Sequence, residues 1–171
     1  MALEMFVRCL PLLLCVGGAL SEPILYLSLY FKTHRQAYYD LLQKVRVEGD
    51  WEGWLRFFLT GVLDTAEQAV QTAKAILQLF AVDRHRIEAL GRPAGSALRV
   101  HQLLQTKPLI SIPNAARALG IAAPTVATAL GHLQRLGLVR ELTQRQRHRL
   151  FVYEQYLTLL RQGTEPLKGV P

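Results

Sequence analysis

The residues best suited to chemistry gather in the last third of the chain. On a helix opened by Pro124, the side chains of Thr125, Thr128, His132 and Arg135 share one face, while Val126, Leu130 and Leu133 share another. Hydroxyls, an imidazole and a guanidinium are the groups that bond phosphate oxygens and base edges in a major groove. Further on, the stretch Gln144 to Arg149 carries Arg145, Arg147 and Arg149 and no acid. That composition suits a hairpin laid along a phosphate backbone. The chemistry on offer is recognition of a polyanion.

The charge distribution agrees. The 171 residues carry 20 Lys and Arg against 13 Asp and Glu, a net charge of +7. From Met1 to Gly95 there are ten of each sign. From Ser96 to Val152 there are eight bases (Arg99, Lys107, Arg117, Arg135, Arg140, Arg145, Arg147 and Arg149) and one acid, Glu141. A surplus confined to one third of the chain points to two modules, the second with an anionic partner. With 50% hydrophobic and 19% charged residues, a packed core is expected and disorder is not.

Catalytic and metal chemistry find no footing. Cys9 and Cys15 form neither a CxxC pair nor a Cys/His cluster. The histidines, His34, His85, His101, His132 and His148, are scattered without an H-E-x-x-H pair. Phosphate-cradling glycine loops and nucleophile elbows are equally missing from the sequence. Met1 to Leu20 imitates a secretory leader, with Arg8 before an apolar run and Gly17-Gly18-Ala19 after it. Glu4 cancels that charge, however, and the run is too short to span a bilayer. A cytoplasmic protein without a membrane partner is expected.

The elements that must position the basic residues can be read from periodicity and punctuation. A first apolar helix stops at Gly17-Gly18. Ser28 reads as the cap of a helix carrying Phe31, Tyr38, Leu41, Leu42 and Val45, ended at Glu48-Gly49. Asp50 then caps a long helix whose apolar stripe begins at Trp51, Trp54, Leu55 and Phe58 and can be followed to about Leu90. Gly91-Arg92-Pro93-Ala94-Gly95 reads as a linker. Beyond it come a helix from Ser96 to Gln105, a short helix capped by Ser111, a turn at Gly120, and the helix from Pro124. Two strands follow, Leu138 to Leu142 and Arg149 to Tyr153, and a closing helix runs from Glu154 to Gln162. This is the pattern of a winged helix-turn-helix.

Several strings in the first half resemble Fic-domain proteins. Leu20-Ser21-Glu22-Pro23-Ile24-Leu25-Tyr26-Leu27-Ser28-Leu29-Tyr30-Phe31-Lys32 resembles the segment after the family's catalytic loop. Tyr38-Tyr39-Asp40-Leu41-Leu42-Gln43-Lys44-Val45-Arg46, then Gly49-Asp50-Trp51 and Trp54-Leu55-Arg56-Phe57-Phe58-Leu59, continue the likeness, as does Val152-Tyr153-Glu154-Gln155-Tyr156-Leu157. The resemblance covers most of the chain from about Leu10. It implies kinship with enzymes that transfer AMP from ATP to a protein hydroxyl, using a divalent cation. Their motif is His-Pro-Phe-x-x-Gly-Asn-Gly-Arg-x-x-Arg, with the His as general base and the glycine loop and last Arg holding phosphates. In this chain no His precedes His34 and no Asn-Gly pair occurs; Arg8 stands one residue short of the last Arg's spacing to Pro11. By resemblance, Tyr38, Tyr39 and Arg46 correspond to a wall beside the nucleotide; aromatic packing on a helix accounts for the tyrosines equally well.

The resulting expectation is a mostly α protein. Residues 1–90 form the C-terminal helices of a Fic core without a catalytic loop, 91–95 a linker, 96–162 a winged helix-turn-helix with a small β-hairpin, and 163–171 a tail. No catalytic residue, metal ligand or cofactor is expected in this chain, and no AMP transfer. The abrupt loss of resemblance before Leu10 fits a frameshift or miscalled start, with a working C-terminal fragment as the alternative. DNA is the expected partner, through Thr125, Thr128, His132, Arg135, Arg145, Arg147 and Arg149, which would suit a stand-alone transcriptional regulator too. A homodimer through the helices of Trp51 to Leu90 is a third reading. Apolar surface around Met5 to Leu14 predicts marginal solubility.

Overall fold

In the computed structural model, residues 16–18, 27–143 and 149–161 are described. Among them the elements run α1 (Leu27–Thr33), α2 (Arg35–Glu48), α3 (Trp51–Glu88), α4 (Ala94–Thr106), β1 (Leu109–Ser111), α5 (Ile112–Leu119), α6 (Ala123–Arg135), β2 (Arg140–Glu141), β3 (Leu150–Val152) and α7 (Glu154–Arg161). The protein is mostly α with one small antiparallel sheet, as the periodicity indicates. Among the described residues no helix is long and apolar enough to cross a membrane. Two compact units divide inside α3, the first ending at Gln71 and the second beginning at Thr72.

The first unit is an aromatic packing problem. Helix α3 begins because the Asp50 carboxylate accepts from Gly53 N–H at 3.0 Å, satisfying one orphan donor of the first turn. Trp54 and Phe58 on α3 are 4% exposed. Trp54 meets Val45, Phe31, Tyr38 and Leu41, and Phe58 meets Leu27 and Val62. Gly61 permits close approach, since a Cβ there would stand 2.5 Å from the Tyr30 ring. The single helix expected from Ser28 is instead two. Leu27 is already helical and buried, so Ser28 lies within α1 and caps nothing. His34 then leaves helical geometry (φ −105°, ψ 37°), and its ring lies 4.3 Å from that of Tyr30. The break lets Phe31 of α1 and Tyr38 of α2 both reach Trp54.

The second unit sets helices α4, α5 and α6 against a three-stranded antiparallel sheet, followed by α7. The strand order is β1-β3-β2, with Ile110 opposite Phe151 and Glu141 also opposite Phe151. Beyond the paired strands, Tyr153 N–H donates to Pro108 O and Leu142 N–H to Leu150 O, both at 2.9 Å. Strand β1 was not evident in the sequence, because three residues after Pro108, the last of them the helix cap Ser111, show no period. The core joins Val100 and Leu104 of α4, Ala115 of α5, and Val126, Ala129, Leu130 and Leu133 of α6, all fully buried.

The end of α3 belongs to this core as well. Ile87 is fully buried there, with Leu79 and Phe80 packed beside it. The break between α3 and α4 accordingly falls at 89–93, inside the second unit. Ala94 N–H bonds Gly91 O at 2.9 Å, and Gly95 already lies in α4.

Candidate nucleic-acid interface

Positioning of α6 starts at the turn before it. Gly120 (φ +64°) closes α5 in the left-handed region that a side chain would strain, and Ile121 N–H returns to Ala116 O at 3.2 Å. Burial of Val126, Ala129, Leu130 and Leu133 then fixes the rotation of α6. Thr125, Thr128 and Arg135 are left exposed and His132 half-buried. The far ends of both helices are tied down by arginines from other elements. Arg99 of α4 donates to Leu119 O at 2.5 Å, and Arg86 of α3 donates to Leu136 O. These are anchors that sequence reasoning missed, since partners 20 and 50 residues away leave no local signal.

The outward face of α6 keeps its positive charge. Thr128 donates its hydroxyl to Pro124 O at 3.0 Å, leaving the oxygen lone pairs outward. The Arg135 Nη2 lies 2.8 Å from His132 Nδ1, and Nε donates to Gly131 O at 3.4 Å. Neither partner is a carboxylate, and α6 holds no acid. Arg135 therefore stays uncompensated by any carboxylate of its own helix.

The wing differs. Arg145 and Arg147 lie outside the described residues. Arg149 is committed within the hairpin. It donates from Nε and Nη2 to the two Glu141 oxygens at 2.9 and 2.6 Å, with its guanidinium over the Phe151 ring at 5.0 Å. The hydrogen bond from Arg149 holds the Glu141 carboxyl below its ordinary pKa and raises that of the guanidinium. Arg140 likewise grips Glu154 through two 2.8 Å bonds. Arg140 and Arg149 are thus each paired with a carboxylate in place.

A buried polar array supports the scaffold from behind. The Tyr153 hydroxyl, on the residue after β3, donates to Asp83 of α3 at 2.5 Å. His101 of α4 places Nε2 3.4 Å from the same hydroxyl and Nδ1 3.4 Å from the Gln105 amide. Arg86 adds a 3.2 Å contact to the other Asp83 oxygen. Asp83, His101 and Tyr153 are at most 2% exposed. Burial pushes the His101 pKa down, with Asp83 opposing and Arg84 adding to the fall. Burial, then the bond to Asp83 and its charge, pushes the Tyr153 phenol far up.

In the first unit, Tyr38 is half-buried among Phe31, Trp54 and Tyr39. Tyr39 is largely exposed, with the Arg35 guanidinium 5.7 Å over its ring, and Arg46 is exposed on the same helix. Among the described residues no group of three or more His, Cys, Asp and Glu side chains could hold a metal ion. No protein-family model matches the chain.

Proposed function

We propose that the second unit binds duplex DNA, with α6 in the major groove and the hairpin along the backbone. The observation carrying this reading is the outward face of α6, where Thr125, Thr128, His132 and Arg135 stand on a rigid, fully packed helix with no acid among them. Arg145 and Arg147 supply further phosphate contacts, and Arg149 shapes the hairpin through Glu141 rather than reaching outward. We further propose, on the strings from Leu20 to Leu59, that the first unit derives from a Fic-type core lacking its general base and phosphate loop. The chain then transfers no AMP and acts as a regulator in the cytoplasm. Tyr38 in that unit serves as packing.

Fluorescence anisotropy with a mixed-sequence duplex across a salt series tests the DNA reading. Affinity should fall steeply with salt, and Arg135→Ala should weaken binding and reduce the logarithmic salt slope by about one. Arg145→Ala with Arg147→Ala should reduce the slope by about two, whereas Arg149→Ala should leave it nearly unchanged. Binding that ignores all of these substitutions would reject the reading.

A further inference from the structure

The described cations between Ser96 and Val152 meet different fates. Arg99 reaches a helix-end carbonyl, Arg140 and Arg149 each close on a carboxylate, and Arg135 lies along its own helix. The side chains of Lys107 and Arg117 have no hydrogen-bond or ion-pair partner among the described residues. Both line one cavity of about 320 Å³, at the low end of the size range of small-molecule sites. Lys107 follows α4, Arg117 stands on α5, and Asn114, one turn earlier on α5, also faces the cavity. The apolar part of the lining comes from Leu103 of α4 and from Leu109 and Ile110 of β1. Leu109 is 47% exposed on an edge strand, so apolar surface is left open beside the cations. No carboxylate lines the cavity.

Two like charges facing one apolar cavity without a counterion repel each other and favour an anion. A bare inorganic anion would satisfy the cations and leave the leucines wet. A ligand with both an anionic head and an apolar body satisfies the whole lining. We propose that this cavity binds a small amphipathic anion, a carboxylate or phosphate on an apolar body. The head sits between Lys107 and Arg117 with the Asn114 amide donating to it, and the body rests on Leu103, Leu109 and Ile110. The site stands apart from the DNA-binding reading and does not need it. Its walls are nevertheless α5, which packs on α6, and β1, which pairs with β3 of the hairpin. An occupant therefore touches the supports of both proposed DNA-contacting elements.

The test uses the full 171-residue chain, isotope-labelled, with phenyl phosphate and inorganic phosphate as probes followed by amide chemical shifts. Phenyl phosphate should move amides of residues 103–118 in a saturable way and bind at least about tenfold tighter than inorganic phosphate. Lys107→Gln and Arg117→Gln should each weaken it about tenfold, as expected for losing a charge-assisted contact. Both side chains are exposed, so unmoved amides elsewhere in the spectrum verify that the fold persists. Equal affinity for the two probes, shifts spread over α6, or indifference to both substitutions would each overturn the site. Displacement of phenyl phosphate by duplex DNA, with weaker DNA binding in the same variants, would reassign the cations to backbone phosphate and overturn it too.

Discussion

The two units spend a similar apolar content in opposite ways. In the second, helices and sheet converge on one core whose central side chains, Val100, Leu104, Leu130 and Leu133 among them, are fully buried. In the first, the buried side chains among the described residues are Leu27, Val45, Trp54 and Phe58, in two small clusters knitted by aromatic contacts. Leu55, Leu59, Leu63 and Val70 on α3 are more than half exposed. A long amphipathic helix normally buries its wide stripe against neighbours; here only one side of that stripe has described partners. Among the described residues, the difference separates a unit that encloses its apolar side chains from one whose α3 stripe stays partly open.

The sharpest way to break that contrast is truncation of leucines. Leu130→Ala should cost about 2–5 kcal/mol, because a fully buried methyl-rich side chain leaves a cavity. Leu59→Ala, at 59% exposure, should stay within about 0.5 kcal/mol. Urea unfolding followed by circular dichroism measures both. A Leu59→Ala cost of several kcal/mol would mean the stripe is covered in solution, and a concentration-dependent mass by light scattering would then identify a homodimer.

Next in size is the buried polar array around Asp83. Tyr153→Phe removes the one bond that Asp83 Oδ2 accepts among the described residues and leaves a buried carboxylate oxygen unsatisfied, at about 1–3 kcal/mol. Asp83→Asn keeps the shape while weakening the bond, and a double-mutant cycle of the two should show coupling. Additive effects would mean that the hydroxyl and carboxylate contribute separately, and that the array is packing rather than a network.

How much of this was legible depends on the distance over which each feature is determined. The helices around Trp54 and Leu130, the Asp50 and Ser111 caps and the Gly120 turn rest on local rules, and all are where spacing puts them. Interactions between distant elements left no such trace. The sequence count treats Arg140 and Arg149 as free positive charge, yet Arg140 sits on Glu154 from the next helix and Arg149 on Glu141 from across the hairpin. His101 reads as one of several scattered histidines, and only the fold brings Asp83 and Tyr153 to it. The Gly91–Gly95 break looked like a domain boundary because glycine and proline end helices. They end α3 here, but the core of the second unit reaches back beyond them to Ile87. On the proposed interface, composition pointed to the outward face of α6, and tertiary pairing decided which arginines remain available.

The smallest expected effect is the most discriminating for the buried array. His101 has an ordinary pKa of 6.5, and burial lowers it in the folded protein. As pH falls through 6.5 the unfolded chain takes up its proton before the folded one. Stability attributable to His101 is therefore intact above that pH and declines below it, levelling only beneath the lowered folded value. Comparing wild type with His101→Gln by urea unfolding between about pH 7.5 and 5.5 isolates this residue from the other histidines. Wild type should lose more stability than the variant on acidification, because the variant has nothing to protonate at that position. The opposite sign would mean that the Asp83 charge outweighs burial, and that the second unit holds an imidazolium–carboxylate pair where neutral packing is expected. Equal slopes would place His101 in contact with water and remove it from the core that distinguishes the second unit from the first.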